Sequence, residues 1–358
     1  MGKSMVDIFM ELVRIDSESG EEEGVIQFLE KFLTDEIGAK CERDSYNNLI
    51  ARITGKNSER TEPILLSCHA DTVKPGKGIE PYQEGDIIRS RGETILGADN
   101  KAGIVEVLEA LRTAKKRPPV EFVVSREEEI GLVGAKHMDT TKLSAKMGFL
   151  FDGDVLDKIV IGGPSHMMID VEITGKAAHA GMEPEKGISA IKAAANGIAK
   201  MKLGRLDAGS TSNVGIIKGG EIRNGIPEKA YITAECRSLD NDKCLKIAEE
   251  MKTLFEAGAR EEGATAEVKL SLAYQAVNIP EDAPVVGISK KAIEEIGLKP
   301  TTEIICGGTD ASIYNEKGIQ TAVLGTGVEK EHSKEEQIAV SSMEKAVSVL
   351  HGIFEMTA

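Results

Sequence analysis

Five short stretches of this 358-residue chain place metal-ligating side chains where a strand ends or a loop begins. In the first, Leu65-Leu66-Ser67-Cys68-His69-Ala70-Asp71-Thr72, an apolar strand runs out into His-x-Asp. Residues two apart in an extended chain face the same side, so the Asp71 carboxylate is placed to hold one imidazole nitrogen of His69 and leave the other for a cation. Alone, this stretch reads more readily as a strand-end histidine beside a turn aspartate. The second, Leu96-Gly97-Ala98-Asp99-Asn100-Lys101-Ala102-Gly103, sets Asp99 between a glycine-rich turn and a helix. An aspartate there serves as an ordinary N-cap, or as a two-oxygen bridge between cations roughly 3.5–4 Å apart.

The third stretch, Ser125-Arg126-Glu127-Glu128-Glu129-Ile130-Gly131, strings three carboxylates directly after an apolar strand. Charge runs usually mark a solvated face, but at the mouth of a buried strand they concentrate repulsion that a cation relieves. One glutamate that ligates, beside one of raised pKa left free to take a proton from water, is a workable division of labour. The fourth, Phe149-Leu150-Phe151-Asp152-Gly153, ends another buried strand in a carboxylate, where a turn aspartate before glycine is the plainer alternative. The fifth, Glu331-His332-Ser333, reads alone as an ordinary surface histidine. Together the five present nitrogen and oxygen donors without a thiolate, a set suited to zinc, and also to cobalt or manganese, in an open catalytic site.

The elements that must carry these residues alternate. Residues 5 to 15 and a second segment after Ser19-Gly20 read as amphipathic helices. Residues 48–53, 64–67, 120–125 and 148–151 read as buried parallel strands, with a helix at 101–114 between two of them. That is an α/β layer pattern with right-handed crossovers. From residue 164 it changes to a strand at 167–174, a helix at 186–201 with Ile188, Ile191, Ala195 and Ile198 inward, strands at 212–217 and 230–237, a helix at 242–259 and a strand at 266–272. This is β-α-β-β-α-β, a ferredoxin-like unit inserted in the chain. The α/β pattern then resumes with a helix at 285–296, strands at 303–306 and 322–324, and a closing helix whose Ser341 and Glu344 suggest a capping box.

The expected domains are therefore residues 1–163 and 275–358 for the catalytic part and 164–274 for the insertion; 358 residues exceed the roughly 250 at which single cores stop growing. No apolar run approaches the roughly 20 residues of a membrane span, and the N-terminus shows no secretory h-region, so a cytoplasmic protein is expected. Five scattered cysteines suggest neither a disulfide framework nor a thiolate zinc site. A formal net charge of −15, no basic stripe and no tryptophan argue against nucleic acid and anionic membranes as partners.

These motifs, in this order and with this insertion, resemble the dinuclear zinc exopeptidases and deacylases that include peptidase T, carboxypeptidase G and succinyl-diaminopimelate desuccinylase. The strings GADNKAG and EEEIG look most like the peptidase T branch. The resemblance implies two zinc ions, with Asp99 as bridge, His69 and Asp152 completing one position, and Glu129 and His332 the other. It makes Glu128 the general base and Asp71 the partner of His69, and it implies a cis peptide between Asp99 and Asn100. It makes the insertion a lid that also forms a homodimer, and it gives substrate-binding roles to His179, Asn213, Asn224, Arg237, Gly308 and Thr309. The plainer readings are a hydrogen-bonded loop histidine for His179 and an ion pair with Glu235 or Asp240 for Arg237. One departure stands out: Cys306 precedes Gly307-Gly308-Thr309-Asp310 where peptidase T carries an arginine for the substrate carboxylate.

The expected activity is hydrolysis of small peptides, tripeptide aminopeptidase in style. The same chemistry would serve an N-acyl amino-acid deacylase, a dipeptidase or a carboxypeptidase. An oligomeric zinc aminopeptidase lacking this lid shares short strings such as DNKAG, but the insertion speaks against it. A metal-binding peptide receptor or scaffold without turnover is the alternative outside enzymes, and the presence of Glu128 weighs against it.

Overall fold

The computed structural model describes residues 3–358, and the chain divides into two compact units, 1–162 with 278–358 and 163–277. In the first unit a mixed sheet, nine-stranded among the described residues, forms the centre. Eight of its strands are, in order, Lys40–Arg43, Leu49–Ile53, Val120–Ser125, Ile64–His69, Met147–Gly153, Gln320–Gly325 and Lys158–Gly163, with Thr301–Ile304 pairing in parallel with the last. Four neighbours, 120–125, 64–69, 147–153 and 320–325, run parallel, so their carboxyl ends share one edge. Every residue of 64–69 and 120–125 is buried, which accounts for their continuous apolar character. Residues 49–53, expected as a parallel strand, pair antiparallel with both neighbours. Burial on both faces makes either direction look the same in sequence.

The helix Ala98–Thr113 packs on the strands 64–69 and 147–153, with Ile104, Leu108 and Leu111 fully or almost fully buried, and the closing helix Val340–Thr357 packs on it in turn. The capping box expected at Ser341 and Glu344 does not form. The N-cap is Ala339, two residues earlier, so Ser341 lies inside the first turn and donates its N–H and Oγ–H to Asp86. A capping box does form at Ser4 and Asp7, before the helix Met5–Val13. A small antiparallel sheet, ordered 328–329, 337–339, 87–91 and 80–84, flanks the unit.

The second unit is a five-stranded antiparallel sheet in the order 204–207, 210–219, 229–238, 165–174 and 265–274, covered on one face by the helices Ala190–Ile198 and Asn241–Glu261. Leaving aside the short strand 204–207, which the sequence did not announce, the connectivity is β-α-β-β-α-β. The first helix is shorter than expected and turned. It begins after the N-cap Ser189, and Ile188 pairs as an isolated bridge with Lys176. Its buried face is Ala190, Ala193, Ala194 and Gly197, with the expected Ile198 partly buried against the same core, while Ile191 and Ala195 face solvent. Small residues let this helix lie close to its partner: a Cβ on Gly197 would sit 3.0 Å from Leu254 O. Close approach outranked side-chain hydrophobicity in choosing the inward face.

Candidate metal centre

The shared carboxyl edge gathers the five motifs in the first unit. His69 is the last residue of its strand, with Nε2 3.2 Å from Asp99 Oδ1 and 3.2 Å from Asp152 Oδ1. Asp152 lies near the end of the neighbouring strand 147–153. His332 Nε2 lies 3.1 Å from Asp99 Oδ2 and 3.0 Å from Glu129 Oε1. Two donor groups result, His69, Asp99 and Asp152, and Asp99, Glu129 and His332, each with ligand atoms within 4.8 Å of one another. Asp99 belongs to both and turns a different oxygen toward each histidine.

Electrostatics at this edge calls for positive charge. Burial opposes a charged His69, but Asp152, Asp71 and Asp99 overcome it and push its pKa well up. Hydrogen bonds to Asp99 and Glu129 push His332 up to about 11. Burial would raise Asp99, yet His332 and His69 hold it below the usual carboxylate range. Three carboxylates crowded against two imidazoles are satisfied by cationic charge between them, and this nitrogen and oxygen donor set fits a divalent metal.

The three successive glutamates separate. Glu127 accepts from the Tyr46 hydroxyl at 2.7 Å, Glu129 faces His332, and Glu128 is buried with its pKa raised well up by desolvation. Their strand exit is anchored by buried Glu22, which takes Arg126 Nη2 at 2.6 Å and the N–H of Glu127 at 3.2 Å. Asp71 is fully buried. His69 Nδ1 lies 3.0 Å from its carbonyl oxygen and 3.4 Å from its Oδ1, so the main chain, more closely than the expected carboxylate, meets that nitrogen. The carboxylate accepts from Glu128 N, Glu129 N and Ser19 Oγ at 2.8, 3.1 and 2.7 Å.

The bond between Asp99 and Asn100 is cis. Asn100 donates Nδ2–H to Phe151 O at 2.7 Å and to Asp152 Oδ1, tying this turn to the end of the neighbouring strand. A small cavity of about 60 Å³, lined by Asp99, Asp152, Asp154, Thr326, Val328 and Glu331, opens beside the centre.

Gly308 and Thr309 are half-buried in the turn that leads into the helix Asp310–Glu316, and Cys306 begins that turn. Two buried acids at this edge have roles that the sequence does not point to. Asp310 accepts from Ser125 Oγ, and burial pushes it up to about 7. Glu336 accepts from three backbone N–H groups of the Asp99 turn. Nothing local marks either one, since both partners lie over 180 residues away in sequence.

Within the second unit, His179 and Asn224 are neighbours: Asn224 Nδ2 lies 3.5 Å from His179 Nε2, and His179 Nδ1 accepts from Gly181 N and Met182 N. Both line a cleft of about 470 Å³ with Ile222 and Pro227. Asn213 is exposed on the strand Ser210–Gly219, opposite Glu235 on the next strand. Arg237 lies 3.2 Å from Glu235, the ion pair anticipated as its plainer role, and Glu235 also meets His166 at 2.8 Å.

Comparison with known proteins places this geometry in context. A family model described as peptidase family M20/M25/M40 matches residues 65–356. An uncharacterised protein of Bacillus subtilis, YqjE, is 35% identical, covering 99% of each chain. The solved aminopeptidase PepT of Bacillus cereus is 37% identical, with a TM-score of 0.88, covering 99% of this chain and 98% of its own. A tripeptidase structure from Staphylococcus aureus is 34% identical, with a TM-score of 0.92, covering 99% of this chain and 97% of its own.

Proposed function

This chain belongs to peptidase family M20/M25/M40, and from that premise we propose that it is a dinuclear, metal-dependent aminopeptidase acting on tripeptides. The carrying observation is Asp99, whose two oxygens face His69 and His332, the histidines of two separate donor groups. We assign His69 and Asp152 to one metal position, Glu129 and His332 to the other, and Asp99 to both. Zinc is the proposed metal, with cobalt or manganese able to replace it. Bound there, such cations would polarise a carbonyl oxygen and make a water more acidic.

Glu128 is the proposed general base. Its desolvated carboxyl, with a raised proton affinity, takes a proton from the water that attacks the amide carbonyl and hands it to the departing amine. Asp71 orients it through the main-chain N–H that Glu128 donates. His179, Asn213, Asn224 and Arg237 are proposed to bind substrate from the second unit, with His179 donating to the developing oxyanion and Arg237 pairing with a carboxylate. The adjacency of His179 and Asn224 supports a shared task for those two. Gly308 and Thr309 complete the proposed contacts. The second unit is further proposed to be a lid that forms a homodimer, and the protein to be cytoplasmic; among the described residues no helix is long and apolar enough to cross a membrane.

The tripeptide preference rests on the PepT and tripeptidase relatives, while Cys306 removes one expected carboxylate-binding cation. The test is hydrolysis of di- and tripeptides with free amino termini against N-acyl amino acids, before and after chelation and after added zinc. Tripeptide cleavage lost on chelation and regained with zinc is expected. Faster cleavage of N-acyl amino acids would assign a deacylase instead.

A further inference from the structure

The turn that opens the helix Ala98–Thr113 is irregular: Gly97 is left-handed, Asp99 and Asn100 have non-helical backbone angles, and no side chain of the segment caps it. A residue from the far end of the chain accepts N–H groups of this turn. Glu336, 1% exposed, accepts from Leu96 N and Gly97 N through Oε2, both at 2.7 Å, and from Asp99 N through Oε1 at 2.9 Å. A buried carboxyl group is costly unless its oxygens are satisfied, and here both are.

Glu336 ends a turn that contains His332, and its own N–H donates to Ser333 O at 3.2 Å. The next three residues, Gln337–Ala339, pair antiparallel with Ile87–Arg91, the strand that leads toward the Asp99 turn. One side chain therefore ties the turn bearing His332 to the turn bearing Asp99. Across these two turns His332 Nε2 lies 3.1 Å from Asp99 Oδ2. His69 and Asp152 sit on adjoining strands of the central sheet, and Asn100 ties the Asp99 turn to Asp152 by a bond that does not involve Glu336.

We infer that Glu336 is a positioning residue that sets Asp99 against His332 and so governs the affinity of the metal position made by Asp99, Glu129 and His332. This rests on the reading of the centre given above. An asymmetry follows: loosening the tie weakens the His332 position more than the His69 position. A residue that only stabilised the fold would lower stability without telling the two apart.

The experiment strips wild type, Glu336→Gln and Glu336→Asp with a chelator, checks secondary structure by far-UV circular dichroism, and titrates zinc against a chromophoric chelator. Wild type is expected to take two ions. Glu336→Gln should hold one with affinity within about threefold of wild type and the other about 10–100-fold more weakly, the range for losing a partner behind the ligands. Glu336→Asp, which keeps the charge with a shorter reach, should weaken that same ion by less, and KM at saturating zinc should stay unchanged in both. If both ions bind as in wild type, or weaken equally, the inference is overturned; Glu336→Asp supplies the same comparison should Glu336→Gln not fold. A wild type that takes fewer than two ions would overturn the reading of the centre itself.

Discussion

The main-chain N–H of Glu128 donates to Asp71 Oδ1 at 2.8 Å, joining the exits of two neighbouring parallel strands. The following N–H, of Glu129, reaches the other oxygen of the same carboxylate at 3.1 Å. One buried acid thus aligns the proposed base and a proposed ligand, while its own carbonyl oxygen lies against His69.

Replacing Asp71 by Asn should disturb that alignment, because an amide offers one acceptor oxygen and turns N–H groups toward the other donor. We expect kcat to fall about 10–100-fold with KM within about twofold, measured by steady-state kinetics at saturating metal. An unchanged kcat would remove Asp71 from the machinery.

Glu128→Gln keeps shape and burial and removes proton transfer. The expected loss in kcat is about 100–10,000-fold, with metal content by elemental analysis equal to wild type. Turnover near that of wild type would exclude Glu128 as the base.

Ligand variants should sort by position. His332→Ala and Asp152→Asn should each leave one tightly held ion per chain, and Asp99→Ala, which removes the residue common to both groups, should leave none. Elemental analysis after gel filtration reads the outcome, and two ions retained by Asp99→Ala would contradict the bridge.

Asp310 makes the metal-free protein sensitive to pH. Its folded pKa is pushed up to about 7 from an ordinary 3.8 by burial, so between those values the folded chain holds a proton the unfolded chain has lost. The unfolded state binds fewer protons there, and stability must fall as pH rises through that window. Urea unfolding of chelator-treated wild type and Asp310→Asn from pH 4 to 8 checks this. The variant should gain on wild type steadily up to about pH 7, and a constant difference would show that Asp310 does not titrate there.

Gly103 abuts the Asp152 strand. A Cβ there would lie 2.4 Å from Phe151 O and 2.6 Å from Asn100 Oδ1. Gly103→Ala should destabilise the fold by about 1–3 kcal/mol, the usual cost of overpacking, and lower metal affinity by displacing Asp152. Thermal unfolding with and without zinc measures both effects.

Much of this architecture is written in local pattern. An apolar run ending in His-x-Asp, or in three glutamates, states that a buried strand stops at a polar edge, and the strands 64–69 and 120–125 do so. The division into α/β and ferredoxin-like parts follows from hydrophobic periodicity, which reports burial. Periodicity is silent where burial is uniform or small residues dominate. Strand direction at 49–53 and the outward turn of Ile191 and Ala195 therefore differ from what the pattern predicts.

Residue type and order alone determined which side chains could bind a cation or move a proton, because those capacities are covalent properties of imidazole and carboxylate. Only the folded chain decided which of them meet. Contacts such as Glu336 with the Asp99 turn, or Asp310 with Ser125, join segments separated by 237 and 185 residues, and no local preference encodes them. They arise because parallel strands bring their ends to one edge, where a buried acid can meet donors from distant segments.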